Sequence, residues 1–416
     1  MRSARNWPAD LLHADLESSR SCRDGFRRFM NRQGVRNMDI RKRIAVLFPS
    51  FLGGGAEAVG VWILDALKNR HDLTLVTLTD NPLETYDESF GTSLADSGIK
   101  VKCPFKGPLR PLPQKFFQRV REFPVLRQHL LLRYFHSLRD SFDLCFSAYN
   151  EMDLGERGIQ YFHDTPGSCV GSPLVRKLTG FNVDRMKSNL SLAPSIWMGK
   201  RIKAAYGIES QVVYPPVRTD FPERDWKDRE NGFLCVARFS PEKRIERAIE
   251  IISKVRQGGT DTHLRIVTLG GKARYERSIE RLRARHGDWI RIERGLTNDQ
   301  YVGLLGGYRY FLNASDHEGF GIAITEAINA GCIPFVMGSG GQQEILDVCP
   351  ELVFQDTSEA VRAMEEMMAS DSLQAGAIQK LRELRGRFST DRFRSEICGL
   401  VDDFLEHRSP PTPALA

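Results

Sequence analysis

Short apolar runs alternate along the chain with longer segments in which apolar positions recur every three or four residues. This alternation is typical of parallel β-sheets whose strands are connected by crossover helices. In the first half of the chain, the runs that predict strands are residues 44–48, 73–77, 99–103, 144–147, 159–163 and 212–214. The pattern predicts an α/β fold.

The alternation is interrupted at residues 214–232, where the chain is rich in proline and then densely charged. We interpret this segment as a linker. A second series follows, with amphipathic helices between strands predicted near 233–237, 264–269, 289–293, 308–312 and 333–337. Two Rossmann-like halves joined in this way place a ligand cleft between them, because open parallel sheets bind ligands at the carboxyl ends of their strands.

The first 37 residues are rich in Arg and Ser and have neither apolar periodicity nor the apolar core of a signal peptide. The folded part is therefore expected to begin near residue 40. Five segments are expected along the chain: a disordered tail or mis-assigned start (1–39), an N-terminal Rossmann-like domain (40–215), a linker (216–232), a C-terminal Rossmann-like domain (233–395), and a C-terminal helix and tail (396–416).

Composition agrees with two soluble domains, since the 416 residues are 41% hydrophobic and 27% charged. No run approaches the roughly 18 apolar residues of a membrane span. The eight cysteines are scattered and include no C-x-x-C pair. We interpret them as reduced thiols of a cytoplasmic protein.

Two glycine- or proline-containing motifs follow predicted strands. Gly54 and Gly55 lead into a helix, so a ligand could approach the backbone there, although triple glycine is also a plain turn.

In the second half, Ser240 is a good N-cap and Pro241 a good first helical residue, which predicts that a helix starts there. Lys243 would then oppose the helix dipole unless an anion lies between them. A diphosphate fits this place, and solvated surface charge is the alternative.

The stretch SDHEGFGIAITEAINAG, residues 315–331, is the most informative one. A strand is predicted before it and a helix within it. Gly319 and Gly321 would let backbone N–H groups face a phosphate. Glu318 could accept hydrogen bonds from sugar hydroxyls and Glu326 from a ribose, whereas a partly exposed helix carboxylate is the alternative for Glu326.

Together these motifs resemble the retaining nucleotide-sugar glycosyltransferases of family 4, the glycosyl transferases group 1, which have the two-domain GT-B fold. Glu318 and Glu326 match the family's E-x(7)-E signature, and Arg238 with Lys243 matches its R-x(4)-K pair. Two further motifs match in the same order, G-G-A-E at 54–57 and S-G-G-x-x-E at 339–344. The order and spacing cover most of residues 40–400.

The resemblance implies that the C-terminal domain binds the nucleotide-sugar donor and the N-terminal domain the acceptor. Arg238, Lys243 and the loop from Gly319 through Phe320 to Gly321 would stabilise the leaving diphosphate, and Glu318 would contact the donor sugar. Glu326 would bind the ribose, and the backbone of Gly295 would lie near the nucleobase. Gly54 and Gly55 would form the acceptor or phosphate loop, and His163 would lie near the donor sugar. His317 departs from the family, which often has an aromatic residue there.

The resemblance further implies transfer with retained configuration, without metal or cofactor. The acceptor would be a hydroxyl of a glycan or a lipid-linked glycan. The sequence favours a mannose-like donor only weakly, with GDP-mannose and UDP-hexoses both open. A GT-B sugar-nucleotide isomerase of the non-hydrolysing epimerase type is the alternative function. A non-catalytic sugar-nucleotide sensor also stays open, whereas a nicotinamide dehydrogenase would need the G-x-G-x-x-G that is absent after the first strand.

Residues 109–139 contain seven basic residues and one acidic residue, so they carry as much net charge as the whole chain, +6. Aromatic and leucine residues lie between these charges. The pattern predicts a peripheral contact with an anionic membrane surface, on its cytoplasmic face. The alternative is that the apolar residues pack into the domain core. Nucleic acid is a poorer partner, because no recognised binding motif accompanies the charges.

Overall fold

The part of the chain that the computed structural model describes comprises residues 41–50, 54–105, 124–156, 158–268 and 270–407. The tail expected at 1–39 and the last nine residues, 408–416, lie outside it. So do residues 106–123, which form much of the predicted membrane segment.

The first sheet has seven strands in the order β3-β2-β1-β4-β5-β6-β7, and all of them are parallel. The strands are β1 (Arg43–Leu47), β2 (Asp72–Val76), β3 (Lys100–Lys102), β4 (Leu144–Ser147), β5 (Gly158–Tyr161), β6 (Leu190–Ala193) and β7 (Gln211–Val212). The central strands are almost wholly buried, which explains why they have continuous apolar runs rather than alternating patterns.

Helices cover both faces of this sheet. In the described residues they are α1 (Gly55–Leu67), α2 (Leu83–Phe90), α3 (Pro124–Phe135), α4 (Pro173–Thr179), α5 (Val183–Lys187) and α6 (Ile196–Tyr206). Local sequence sets several of their ends. Ser195, for example, caps α6 by accepting a hydrogen bond from the Met198 amide, and Gly207 ends that helix in the left-handed conformation.

The second sheet has six parallel strands in the order β10-β9-β8-β11-β12-β13. They are β8 (Glu230–Val236), β9 (Leu264–Thr268), β10 (Ile290–Arg294), β11 (Tyr308–Asn313), β12 (Ile333–Met337) and β13 (Val353–Phe354). The helices after β8 are α7 (Ile245–Gln257), α8 (Ala273–His286), α9 (Asn298–Gly307), α10 (Ile322–Asn329), α11 (Thr357–Met368), α12 (Asp371–Leu384) and α13 (Thr390–His407). The predicted α/β architecture with two Rossmann-like sheets is confirmed.

The last helix, α13, returns to the first sheet. Phe393, Ile397 and Val401 are buried in the same cluster as the apolar residues of α1. Arg394 also forms an ion pair with Asp65 of α1, with 3.2 Å between Nε and Oδ2. The described residues from Lys42 onward form one compact unit, so the two sheets can be considered together.

Candidate active site

The two most informative motifs of the second half meet at the carboxyl ends of β8 and β11. Lys243 follows β8 and Glu318 follows β11, and their side chains form an ion pair with 2.7 Å between Nζ and Oε1. Both side chains are mostly buried, with 18% and 17% exposed. The structure therefore brings the predicted lysine and the predicted glutamate into direct contact.

The pKa of Glu318 reflects this contact. Burial alone would raise it. The charge of Lys243, the hydrogen bond that Lys243 donates, and the hydrogen bonds of the Ser315 and Asn313 side chains together outweigh burial and lower the pKa. Glu318 is thus an ionised carboxylate at neutral pH. Because an ammonium group has three N–H donors and this bond occupies one, Lys243 keeps two donors for a ligand.

A helix starts after Ser240, as predicted, but it is only a 3-10 turn and not the start of the α-helix. Residues Pro241–Lys243 form a 3-10 turn, and α7 begins only at Ile245. The side chain of Ser240 donates to Glu242 instead of capping the helix. Arg244 takes the left-handed conformation, with φ of 47°, and forms an ion pair with Asp316 from the loop after β11. Lys243 therefore ends a turn, and it does not lie in the first turn of α7.

Arg238 lies just after β8 and is exposed. Within the described residues it has no ion pair or hydrogen bond through its side chain. Its charge nevertheless acts on Glu242. Burial would raise the pKa of Glu242, but its hydrogen bonds and the charges of Arg238 and Lys243 lower that pKa. The two basic residues of the predicted pair thus lie in the same connection after β8, Lys243 held by Glu318 and Arg238 open to solvent.

The glycine-rich loop after β11 leads into α10. Gly321 is the N-cap of α10 with φ of 119°, a conformation that favours glycine. The S-G-G motif holds the loop from behind, since the amide of Gly341 donates to the Glu318 carbonyl at 2.8 Å. The ring of Phe320 is buried against Tyr214 and Phe388. Only the backbone of Phe320 is therefore available to a ligand.

Glu326 projects from α10 towards the start of the linker. Tyr301 donates a hydrogen bond to its Oε2 at 2.7 Å. Burial raises the pKa of Glu326, although the Tyr301 hydrogen bond and the charge of Arg218 oppose the rise. Sequence reasoning missed Arg218 and Tyr301, because neither lies in a recognisable motif. Gly295, which directly follows β10, has φ of 62° and open space where a side chain would be.

The glycines after β1 lie opposite α10. Gly54 is the N-cap of α1, and Gly55 is its first residue. A Cβ atom on Gly55 would come within 2.9 Å of the Ile322 Cδ1 atom. The N-termini of α1 and α10 therefore approach each other from the two sheets, and a larger residue at position 55 would force them apart.

His163 completes the site from the first sheet. It follows β5, and its Nε2 donates to the Ala148 carbonyl at 2.8 Å, which leaves Nδ1 as an acceptor. Burial lowers the pKa of His163 to about 4, so the ring is neutral at physiological pH. The His163 carbonyl lies 3.2 Å from the place of a Cβ atom on Gly319. The predicted histidine and the predicted loop thus meet across the two sheets.

A set of contacts that the sequence did not predict joins the same two loops. Ser195, the N-cap of α6, donates to the Gly319 carbonyl at 2.6 Å. Glu344 of the S-G-G-x-x-E motif accepts from the amides of Ile196 at 2.9 Å and Trp197 at 2.7 Å. The cap pattern at Ser195 was a local signal for α6, but its contact with Gly319 depends on tertiary structure.

His317 lies beside these contacts. Its imidazole is stacked on Trp197 with 6.1 Å between ring centroids and 10° between planes. It also has a left-handed backbone, with φ of 56°, and its Nδ1 is 3.1 Å from the Ser339 hydroxyl. The residue that departs from the family therefore takes part in the contact between the two sheets.

The predicted membrane segment is only partly on the surface. Within its described part, Leu131, Leu132 and Phe135 of α3 are buried in the core of the first sheet. Arg127 is 7% exposed, so the prediction that it belongs to a basic surface is wrong. Arg119 and Arg121 lie outside the described residues.

Two features are absent from the described part of the chain. No helix there is long and apolar enough to cross a bilayer. No three His, Cys, Asp or Glu side chains there are grouped as metal ligands would be.

Comparison with known proteins agrees with this geometry. Residues 217–383 match the family described as glycosyl transferases group 1, which confirms the predicted resemblance for the domain that carries Arg238, Lys243 and both glutamates. HepE of Anabaena, solved with UDP and glucose, superposes with a TM-score of 0.65 at 15% identity, covering 87% of this chain and 100% of HepE. Sucrose-phosphate synthase of Thermosynechococcus elongatus gives the same TM-score and identity over 88% and 100%. The fold is GT-B.

Sequence relatives are mannosyltransferases. GDP-Man:Man(3)GlcNAc(2)-PP-Dol alpha-1,2-mannosyltransferase of Dictyostelium discoideum is 26% identical over 52% of this chain and 48% of the relative. GDP-mannose:cellobiosyl-diphosphopolyprenol alpha-mannosyltransferase of Komagataeibacter xylinus is 23% identical over 54% and 56%. The chain spans about half of the length of these relatives.

Proposed function

We propose that the protein is a retaining glycosyltransferase that moves a mannose-like hexose from a nucleoside diphosphate sugar to a hydroxyl of a lipid-linked glycan. GDP-mannose is the first candidate for the donor. The observation that carries the proposal is the Lys243–Glu318 ion pair at the glycine-rich N-terminus of α10, with His163 opposite it. The named activities of the mannosyltransferase relatives support the choice of donor and acceptor.

Departure of the nucleoside diphosphate is the step that this site would promote. Negative charge develops on the diphosphate as the bond to the sugar breaks. The free donors of Lys243, the unpaired guanidinium of Arg238 and the amides at the N-terminus of α10 would all stabilise that charge. These groups supply what a divalent ion supplies in metal-dependent transferases, so we propose that no metal or other cofactor is needed.

The other parts of the donor would lie on either side of the diphosphate. Glu318, ionised and held by Lys243, can accept hydrogen bonds from hydroxyls of the hexose. Glu326 can accept from the ribose, and Gly295 leaves open space beside β10 for the base. Nδ1 of neutral His163 is an acceptor on the side of the first sheet, from which the acceptor substrate would enter.

Retention would follow from attack on the face that the diphosphate leaves. The ion pair with Lys243 engages the Glu318 carboxylate, which makes it a poor nucleophile for the anomeric carbon. An acceptor hydroxyl entering beside the diphosphate would instead transfer its proton to the departing phosphate oxygen. The new bond then forms on the same face as the old one.

A panel of nucleoside diphosphates and their sugars, tested by thermal shift, is the direct test of donor binding. A ligand present at a hundred times its Kd should add about 2.7 kcal/mol to the unfolding free energy. GDP and GDP-mannose should stabilise the protein most. Incubation with the donor alone separates the isomerase alternative, because an isomerase would convert the sugar nucleotide without an acceptor. Absence of stabilisation by every nucleotide would contradict the proposal.

We also propose that the protein contacts an anionic bilayer on the cytoplasmic side, through a surface of α3 and α4. The two helices pack together, since His129 of α3 bonds to Thr179 of α4. Four leucines on them are exposed: Leu126 (40%), Leu130 (37%), Leu174 (66%) and Leu178 (69%). Arg133 and Lys177, both exposed, add positive charge beside them. Exposed leucines beside basic residues suit an anionic membrane interface.

Liposome co-sedimentation tests this surface. Binding to vesicles that contain anionic lipid should weaken with salt and with the double change Leu174→Ser and Leu178→Ser. Leu373→Ser is the matched control, because Leu373 is 49% exposed on α12, which lies in the other domain. Equal sedimentation of all three proteins would contradict the assignment.

A further inference from the structure

Asn150 is a buried polar residue that no sequence motif marks. It lies in the connection between β4 and β5 and is wholly buried. Its backbone is left-handed, with φ of 52°. This conformation is uncommon outside glycine, and asparagine is one of the few other residues that tolerate it. A buried residue held in it is a candidate for a functional role.

The side chain of Asn150 holds the main chain at His163. Its Oδ1 accepts hydrogen bonds from the amides of His163 at 2.7 Å and Asp164 at 2.9 Å. Its Nδ2 donates to the Ser168 hydroxyl at 3.0 Å and to the Cys169 sulfur at 3.6 Å. Backbone amides can only donate, so the oxygen of the side chain must face His163. Both lone pairs of Oδ1 and both hydrogens of Nδ2 are therefore used.

The ring of His163 is held from the same connection. The Ala148 carbonyl accepts from its Nε2 at 2.8 Å. The amide of Asn150 itself donates to the Tyr161 carbonyl at 2.8 Å, at the end of β5. Two residues that follow β4 thus hold His163, one by its ring and the other by its backbone.

Glu151, the next residue, holds the far end of the same loop, residues 163–169. Its Oε1 accepts from the amides of Gly167 at 2.9 Å and Cys169 at 3.2 Å. The Tyr206 hydroxyl donates to the same oxygen at 3.1 Å. Neighbouring buried side chains therefore fix both ends of the loop that begins with His163.

This loop meets the second sheet. The His163 carbonyl lies 3.2 Å from the place of a Cβ atom on Gly319. A shift of the backbone at His163 would therefore move Nδ1 relative to the loop that contains Gly319. Reaction rates depend steeply on such placement, and a shift of about 1 Å can cost about a hundredfold.

We propose that Asn150 is a positioning residue that sets the place of the His163 ring opposite the Gly319 loop. The consequence for turnover rests on the proposed function, whereas the positioning of the ring does not. Asn150 has no hydrogen-bonding position left for a substrate, so it acts through His163. Lys243 and Glu318 lie on the second sheet, so loss of Asn150 should slow turnover and leave nucleotide affinity unchanged.

Hydrolysis of GDP-mannose, which needs no acceptor, measures the effect. Asn150→Gly removes the side chain without straining the left-handed backbone, and should lower turnover by about ten- to a hundredfold. The affinity for GDP, measured by calorimetry, should stay as in the wild type. Asn150→Asp keeps an oxygen facing both amides and should restore most of the turnover. Full turnover in Asn150→Gly would overturn the proposal.

Asn182→Gly is the matched control. The Asn182 Oδ1 also accepts from two consecutive amides, those of Asp184 at 2.8 Å and Arg185 at 3.0 Å. The change therefore removes the same kind of bonds from the same domain, at the start of α5. It should leave turnover unchanged.

A double variant separates positioning from general support of the fold. His163→Ala should lower turnover, and Asn150→Gly added to it should cause no further loss, because Asn150 acts through that ring. An equal loss with and without His163 would make Asn150 a structural residue. If Asn150→Gly does not fold, Asn150→Ser replaces it. Its oxygen is one atom closer to the backbone and should not reach both amides, so turnover equal to the wild type would refute the proposal.

An NMR titration of the His163 ring needs no turnover. Burial lowers the pKa of His163 to about 4, and release of the ring in Asn150→Gly should bring it closer to the ordinary 6.5. The signal is identified by its loss in His163→Ala. An unchanged titration would overturn the positioning. If no nucleotide sugar binds or turns over, the proposed function fails, and this titration still decides the role of Asn150.

Discussion

Lys243 and Glu318 depend on each other at the centre of the site. The carboxylate is mostly buried, and the pKa of Glu318 lies below its ordinary value of 4.5 chiefly because of Lys243, with help from Ser315 and Asn313. The same lysine has donors left for a diphosphate. A single residue therefore helps to keep the carboxylate ionised and, in the proposed mechanism, would supply positive charge to the leaving group.

Changing either basic residue to alanine should lower turnover by about a hundred- to a thousandfold, as for loss of one donor to transition-state charge. Arg238→Ala should leave the unfolding free energy unchanged, because Arg238 is exposed. Steady-state kinetics with the best donor from the thermal-shift panel measures the effect. Lys380→Ala, which breaks an exposed pair with Glu351, is the control. Full activity in both active-site variants would remove the assignment.

Lys243→Ala should also destabilise the protein in a pH-dependent way. With its pKa lowered in the folded state, Glu318 contributes stability that is present above about pH 4.5 and lost as the pH falls through the lowered pKa. The loss caused by Lys243→Ala should therefore be largest near pH 7 and shrink towards pH 4. Chemical denaturation at both pH values checks this, and an equal loss at both would show that Glu318 is not charged in the fold.

Glu326 and Tyr301 offer a matched pair of changes. Glu326→Gln should weaken nucleotide binding by about 1–2 kcal/mol, because it removes a charged acceptor. Tyr301→Phe removes the hydrogen bond that opposes the burial-induced rise in the pKa of Glu326. Nucleotide affinity should then begin to fall at a higher pH in Tyr301→Phe than in the wild type. Calorimetry from pH 5 to 8 measures the nucleotide affinity of both proteins. If affinity depends on pH in the same way in Tyr301→Phe and in the wild type, Glu326 does not bind the nucleotide.

Among the elements, α6 connects the two sheets through its N-terminus. Glu344 accepts two amide hydrogens there and one from Tyr214, while Ser195 caps the helix and contacts Gly319. A carboxylate at a helix N-terminus is favourable both as an acceptor and through the helix dipole. The end of one helix thus fixes the position of the loop that contains Gly319.

Glu344→Gln should lower the unfolding free energy by about 1–2 kcal/mol, since it weakens charged hydrogen bonds. Ser195→Ala should cost about 1 kcal/mol for loss of the cap. Because both act on the same helix end, the double variant should depart from the sum of the two. Denaturant titration measures all three, with Glu366→Gln, an exposed change on α11, as control. Additive effects would show that the two residues act independently.

At this scale, most of the fold was predictable and its exceptions have physical causes. Buried apolar runs such as β4 and β12 were found with their observed bounds, because parallel strands covered on both faces have continuous apolar sequence. The four-residue strand β6 and the two-residue strand β13 were missed. Ser240 and Pro241 marked a place where the chain makes only a 3-10 turn, because Arg244 takes the left-handed conformation before α7 begins.

The same limit applies to the site. The motifs identified Arg238, Lys243, Glu318 and His163, and the structure brings the last three around one loop. Arg127 shows what sequence could not give. A basic residue amid leucines and phenylalanines was interpreted as surface charge, yet the packing of α3 places it beside Ser50 in the interior.

For the molecule as a whole, the two sheets face each other through loops, and α13 ties the chain's end back to α1. The groups proposed to bind the donor lie on the second sheet, and those proposed to face the acceptor lie on the first. The exposed leucines of α3 and α4 belong to the first sheet as well. A membrane-held acceptor would therefore be bound by the same domain that contacts the membrane.

The central claim is retaining transfer from a nucleoside diphosphate sugar, and the anomeric configuration of the product tests it most directly. Slow hydrolysis of the donor, in which water replaces the acceptor, makes the test independent of the acceptor's identity. With GDP-α-mannose, a proton NMR time course should show α-mannose first, followed by mutarotation, with the rate greatly reduced in Lys243→Ala. Appearance of β-mannose first, or of an isomerised sugar nucleotide, would contradict the account.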